Sequence, residues 1–317
     1  DFEARKPIVI PAKLAAKEGI FFDINGFNNL PYAPPRPLPE HIELTKHPIS
    51  FEHYAKAFEI VQKGLRAGNS YLTNLTFPTP ITLQGELDSI FYQNTATYRL
   101  LFKNQFTVFS PECFVKIKDG HIYSYPMKGT IDAALPNAAA RILGDAKEKA
   151  EHYTIVDLIR NDLGRVASRV HVEQFRYLDH IRTHDKNLLQ VSSKIVGRLP
   201  QYYQNEVGSL LLRLLPAGSI SGAPKAKTLE IIKDAEGYDR GYYTGIFGYY
   251  ANGYLESAVM IRFIERAGEQ FYFKSGGGIT AFSEAETEYQ ELIDKVYVPA
   301  FGKYQDRTRA GEALALS

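Results

Sequence analysis

Cys113-Phe114-Val115-Lys116-Ile117-Lys118-Asp119-Gly120-His121-Ile122-Tyr123-Ser124-Tyr125 reads as two short strands joined by a tight turn. Asp-Gly suits such a turn because both of its central positions take positive φ, which Gly accepts freely and Asp tolerates. The strand-rich stretch extends from Phe106 to Met127. A second meander runs from Gly245 to Ile279, with turns at Asn252-Gly253 and Ala267-Gly268. Hairpins of this kind make antiparallel sheets.

Between them lie blocks with helical spacing. In Glu52 to Ala67 the residues Tyr54, Ala55, Phe58, Val61 and Leu65 form one stripe, and Gly68-Asn69 ends it. Ser70 to Phe77 then reads as a strand. Asn137 to Leu163 is helical in pattern with a break near Gly144-Asp145, and strands follow at His171 to Tyr177 and Leu189 to Leu199. Helices are expected at Asn205 to Leu215, Ala226 to Ala235 and Ser283 to Val298. Strands in hairpins with helices inserted in blocks predict an α+β fold with mostly antiparallel sheets, not a doubly wound one. A single domain over 1–317 is expected, with a short N-terminal strand region (about 1–45). The proline-rich Pro31 to Pro39 reads as an extended surface segment.

The chain has 317 residues, with 37 Lys+Arg against 36 Asp+Glu. A near-neutral balance argues against nucleic-acid binding. One cysteine, Cys113, excludes an internal disulfide framework and suits a reducing compartment. No apolar run reaches membrane-spanning length, and the first residues lack the apolar core of a secretion signal. A cytoplasmic protein is expected.

Several groups carry possible chemistry. Lys128, in Tyr125-Pro126-Met127-Lys128-Gly129-Thr130, is a lone cation in an apolar segment. Burial there would lower its pKa and free the amine as a nucleophile; the alternative is a lysine that snorkels to water. Glu148 and Glu151, and likewise Glu288 and Glu291, are spaced i, i+3 on helices, so each pair shares a face. Converging faces would suit Mg²⁺, and separate ones are ordinary solvated carboxylates. Gly276-Gly277-Gly278 is expected to end a strand by close approach or positive φ, leaving N–H groups for an anion. Pro216 to Lys225 reads as a small-residue loop that could admit an anion before a helix. Arg262 is expected inside the apolar strand Ser257 to Phe263, bound to a carboxylate ligand or facing outward.

Taken in order, these segments resemble the chorismate-utilising enzymes, which include anthranilate synthase component I, aminodeoxychorismate synthase component I and the isochorismate and salicylate synthases. The likeness runs from about Phe51 to Lys295. It rests on Ser110-Pro111-Glu112, Pro126 to Thr130, Glu151-His152 with Val156 to Leu163, Pro216 to Lys225, Arg240 to Gly245, Gly276 to Ile279 and Glu288 to Lys295. It implies large, mostly antiparallel sheets forming a sandwich with helices on the outside. Lysine in Pro-Met-Lys-Gly-Thr implies the aminodeoxychorismate branch, where the anthranilate branch has alanine. Lys128 would then attack chorismate covalently and Glu112 would be the acid. The resemblance implies Glu151 and Glu291 as direct Mg²⁺ ligands, supported by Glu148 and Glu288. It implies that Ser219, Tyr243, Arg262, Gln190 and the N–H groups of Gly277 and Gly278 bind substrate. Ammonia would come from a glutamine amidotransferase subunit, since no amidotransferase pattern occurs in the chain. Anthranilate synthase component I or another chorismate-utilising enzyme, and a subunit that binds without catalysing, are the competing readings. Leu72 and Gln190 depart from the family, which has glutamine or lysine at the first position and histidine at the second. The N-terminal part is shorter than in full-length members, so a complete tryptophan site of the anthranilate type is not expected.

Overall fold

The turns behave as their chemistry dictates. Asp119 and Gly120 adopt φ of 50° and 73°, and Asn252 and Gly253 adopt 49° and 80°, the left-handed pairs that a tight hairpin needs. They join Cys113–Lys118 to His121–Ser124 and Ile246–Ala251 to Tyr254–Val259. This computed structural model describes residues 1–3, 5–31, 43–182 and 187–297. The expected extended segment Pro31 to Pro39 lies outside them except for Pro31, and so does Val298, the expected end of the last helix.

Both hairpins belong to one seven-stranded sheet. Its order is Ser168–Arg182, Asn187–Arg198, His121–Ser124, Cys113–Lys118, Tyr254–Val259, Ile246–Ala251, with Met127–Asp132 also paired to Asn187–Arg198. A nine-stranded sheet runs Gly222–Ala223, Leu72–Leu83, Gln270–Ile279, Phe263–Ala267, Phe106–Ser110, Tyr98–Phe102, Ile20–Ile24, Phe27–Asn28, with Leu44–Lys46 beside the far end of Leu72–Leu83. Every pairing among the described residues is antiparallel. The α+β reading holds.

The second meander is not continuous in space. Its first two strands lie in the seven-stranded sheet and its last two in the nine-stranded sheet. Arg262 therefore does not sit inside a strand. It lies in the crossing between Tyr254–Val259 and Phe263–Ala267, with φ of 53°. A strand through Ser257 to Phe263 would need extended φ throughout, which Arg262 breaks.

The strand after the first helix is longer than expected, Leu72–Leu83, and passes through Pro78 and Pro80. Pro80 turns its carbonyl to the His47 N–H, away from Gln270–Ile279. Pro78 shares its parity, so neither proline removes a donor from the central ladder.

Helices seal the outer faces. Phe51–Arg66 is capped by Ser50, whose hydroxyl accepts the His53 N–H. Its stripe, Tyr54, Phe58, Val61 and Leu65, packs with Leu75, Phe77 and Leu292. Asp145 both ends Ala138–Gly144 and caps Ala146–Gly164 by accepting the Glu148 N–H, which places the break where the sequence predicts it. Between the sheets, Phe22, Leu100, Val108 and Phe263 meet Tyr243, Ala258 and Met260. No helix among the described residues is long and apolar enough to cross a membrane.

Candidate active site

Past Lys274 the strand Gln270–Ile279 loses Phe263–Ala267 as a neighbour and keeps only Leu72–Leu83. Gly276, Gly277 and Gly278 occupy this open-edged stretch, inside the strand and without positive φ. Close approach is therefore their reason. A Cβ on Gly276 would meet the Leu75 carbonyl oxygen at 2.4 Å, and one on Gly278 would meet Leu72 Cδ1 at 3.0 Å. On the opposite face, a Cβ on Gly277 would come 3.4 Å from Glu288 Oε2 and 3.7 Å from Glu291 Oε1. The bare edge lets groups from both faces of the sheet reach one cavity of about 890 Å³.

The two glycine N–H groups are not equivalent. The Thr76 N–H goes to Glu236 and the Asn74 carbonyl to Arg240, so these residues do not face Gln270–Ile279 with their polar groups. Alternation then directs the Gly277 N–H toward its partner Leu75 and the Gly278 N–H to the open side.

Lys128, on Met127–Asp132, lines the cavity with its Nζ 2.6 Å from Glu151 Oε2 of the helix Ala146–Gly164. Burial pulls its pKa down. The Glu151 hydrogen bond and the charges of Glu151, Glu148 and Glu291 outweigh this and hold it, on balance, above the ordinary lysine value. The expectation of an amine freed by desolvation is thus corrected. Lys128 is here a paired ammonium, because a neighbouring helix supplies carboxylates that no local reading of its segment includes.

The helix Ala285–Asp294 brings Glu288 and Glu291 to the same cavity. Burial and the charge of Glu291 push Glu288 up. Burial also pushes Glu291 up, but Lys295 at 2.5 Å brings it net below the usual range. Lys295 also donates to the Gly276 carbonyl at 2.9 Å. Glu148 packs against Gly129, and its Oε2 is buried with no hydrogen-bond partner among the described residues. Both acidic pairs converge on the charge of Lys128. Among the described residues no three acidic, histidine or cysteine groups already form a metal cage. The donor set nevertheless fits a hard divalent cation. It comprises four carboxylates, one with an unspent buried oxygen, and Lys128 and Lys295 balance their charge in the arrangement seen.

Glu112 faces the cavity and accepts a 2.5 Å hydrogen bond from Ser219. Burial raises its pKa, only partly offset by Ser219 and the charge of Arg262. Ser219 comes from the segment expected as an open anion loop. That segment instead folds into a short helix, Gly218–Ser221, and a strand, Gly222–Ala223, and Lys225 at its end is tied to Asp162. Tyr243 lines the cavity, buried against Phe263, and burial pushes its phenol up. Arg262 stacks over Tyr297 at 5.5 Å and has no salt bridge among the described residues, which leaves its guanidinium for a ligand.

Two of the expected site residues, Glu148 and Gln190, do not line the cavity; Glu148 still acts on Lys128 by its charge, whereas Gln190 lies apart. It sits at the register of Thr130 and donates to the Thr130 hydroxyl at 3.4 Å. Its neighbour Val191 is buried, and strand alternation turns Gln190 the other way. Sequence reading missed Lys295, Lys274 and Asn74, which all line the cavity. Lys295 follows Glu291 by one helical turn, and Asn74 follows Leu72 by one strand period, so their spacing held the signal.

The sequence model of the family described as chorismate binding enzyme matches residues 14–300. The chain is similar to an "Uncharacterized PabA-like protein" of Haemophilus influenzae, 54% identical over 302 residues, which is 95% of this chain and 91% of that protein. It is 33% identical over 267 residues to aminodeoxychorismate synthase component 1 of Escherichia coli, covering 77% of this chain and 56% of that protein. It thus spans little more than half of that relative. Among solved structures, anthranilate synthase component I from Streptococcus pneumoniae matches with a TM-score of 0.68 at 28% identity, over 86% of this chain and 60% of that one.

Proposed function

The chain belongs to the chorismate-binding enzymes, and on that premise we propose that it converts chorismate and ammonia to 4-amino-4-deoxychorismate and water. The observation that carries this reading is Lys128 in the wall of the cavity that also holds the buried acid Glu112. In the proposed route the neutral Lys128 amine attacks C2, both ring double bonds shift by one bond, and the C4–O bond breaks as the hydroxyl leaves as water with the proton of Glu112. Ammonia adds at C4, both double bonds shift back and the C2–N bond breaks to expel the lysine amine. The new C4 ammonium returns a proton to Glu112, so acid, nucleophile and charge are all restored.

Each residue type suits its part. A protonated carboxyl is required at a departing hydroxyl, and burial shifts Glu112 toward that form. An amine is both a competent nucleophile and a tolerable leaving group. Lys128 must first release to solvent the proton that Glu151 now stabilises, and it regains that proton once the product has left. Arg262, Tyr243 and the Gly278 N–H supply donors for substrate carboxylates, and Ser219 keeps Glu112 oriented. Mg²⁺ held by Glu148, Glu151, Glu288 and Glu291 would supply positive charge for a substrate carboxylate. We assign the ammonia to a glutamine amidotransferase subunit.

Product analysis after incubation with chorismate, Mg²⁺ and ammonium tests the reading. Aminodeoxychorismate is expected. Anthranilate, released with pyruvate and without any added lyase, would overturn it in favour of the anthranilate branch. Unreacted chorismate would favour a subunit that binds without catalysing.

A further inference from the structure

We propose that Asn74 positions ammonia for its attack, its side-chain oxygen accepting an N–H of the incoming nucleophile; this rests on the amination reading above. Asn74 lines the cavity, and its Oδ1 is buried with no hydrogen-bond partner among the described residues. Its backbone is anchored. The Asn74 carbonyl accepts from Arg240 Nη2 at 2.8 Å, and Arg240 is itself buried and paired with Glu236. The residue is therefore held in place while its amide is left unspent, which is how a preorganised ligand contact looks before the ligand arrives.

Three of the acceptors at the cavity are already paired. Glu151 is paired with Lys128, Glu291 with Lys295, and Glu112 accepts from Ser219. The difference in charge matters for the chemistry. A carboxylate beside ammonia stabilises ammonium, which has no lone pair and cannot attack. An amide oxygen accepts an N–H without adding negative charge, so it holds the neutral, reactive form. Leu72 precedes Asn74 by one strand period and lines the same cavity. It offers no group to deprotonate a water, whereas ammonia needs no deprotonation before it attacks. The pair thus makes a weakly polar pocket suited to a small neutral amine.

The test is steady-state kinetics of the Mg²⁺-loaded full chain with ammonium as nitrogen source, comparing wild type, Asn74→Ala and the nearly isosteric Asn74→Asp. Asn74→Ala is expected to raise the ammonium KM by about tenfold or more while the chorismate KM stays within about twofold. Asn74→Asp is expected to lower kcat, because its carboxylate favours ammonium. An unchanged ammonium KM in Asn74→Ala, or an equal rise in both KM values, would overturn the assignment. If Asn74→Ala does not fold, an unchanged kcat in Asn74→Asp would do the same. A wild-type protein that forms no aminated product defeats the amination reading itself, which separates the two failures.

Discussion

Lys128 Nζ lies 2.6 Å from Glu151 Oε2, a contact between a strand and a helix that makes the cavity's central cation a paired one. Removing the amine removes the nucleophile of the proposed route. Lys128→Ala is expected to lose turnover by on the order of 10³-fold or more with ammonium or with an amidotransferase as nitrogen source. Intact mass spectrometry of quenched wild-type reactions should show a chorismate-derived adduct that the variant lacks. Aminodeoxychorismate formed at the wild-type rate by the variant would refute the role.

Glu291 is held by Lys295 at the same cavity. As one of the proposed direct Mg²⁺ ligands, it should contribute to binding before any chemistry. Calorimetric titration of the protein with Mg²⁺ alone is expected to show affinity weakened by about 10- to 100-fold in Glu291→Gln. Equal affinity in both proteins would remove Glu291 from the ligand set.

His152 is completely buried with Nε2 2.7 Å from Ser193 Oγ. Burial first, then the charge of Arg176, lowers its pKa from 6.5 to about 4. The folded protein therefore keeps the ring neutral while the unfolded chain takes up a proton from about pH 6.5 downward. Stability supplied by the neutral ring is complete above that pH and is lost as pH falls toward 4. The loss is on the order of 3 kcal/mol. Urea midpoints at pH 7.5 and 4.5 should differ less in His152→Gln than in wild type, and identical differences would contradict the assignment.

Gly276 and Gly277 are adjacent but predict opposite outcomes. A Cβ on Gly276 strikes backbone at 2.4 Å, whereas one on Gly277 meets only side-chain ends, the Glu288 and Glu291 oxygens and Lys295 Nζ, at 3.4 Å and beyond. Gly276→Ala is expected to destabilise the fold by about 1–3 kcal/mol. Gly277→Ala should melt within a few degrees of wild type but lose activity, because its methyl enters the space beside Glu288. Thermal melts and turnover measured on both variants decide this, and an unstable Gly277→Ala with a stable Gly276→Ala would reverse the argument.

Much of the architecture was legible because turns are local. Asp119-Gly120 and Asn252-Gly253 announce their hairpins through two residues each, and Gly144-Asp145 announces a helix break with its own cap. The division of one meander between two sheets was not, since no property of Met260, Ile261 or Arg262 by itself marks a change of sheet. Helical spacing placed each acidic pair on one helix, while Glu112 and Ser219 entered only through the family resemblance. The protonation of Lys128 was not legible, because it depends on Glu151, 23 positions away in the numbering. Gln190 was misplaced for a simpler reason: on a strand, being next to a buried residue means facing the other way.

The crossing at Met260 to Arg262 bears on which insertions and deletions the chain can tolerate. On its far side Phe263 faces the core between the sheets and Ile264 faces the helix-covered core. Losing or gaining one residue in the crossing would exchange these two faces along Phe263–Ala267 and carry Arg262 away from the cavity. The hairpin tips at Asn252-Gly253 and Ala267-Gly268 impose no such parity on the active site. Length variants should therefore survive at those tips and be eliminated at the crossing, even though all three are short connections between strands.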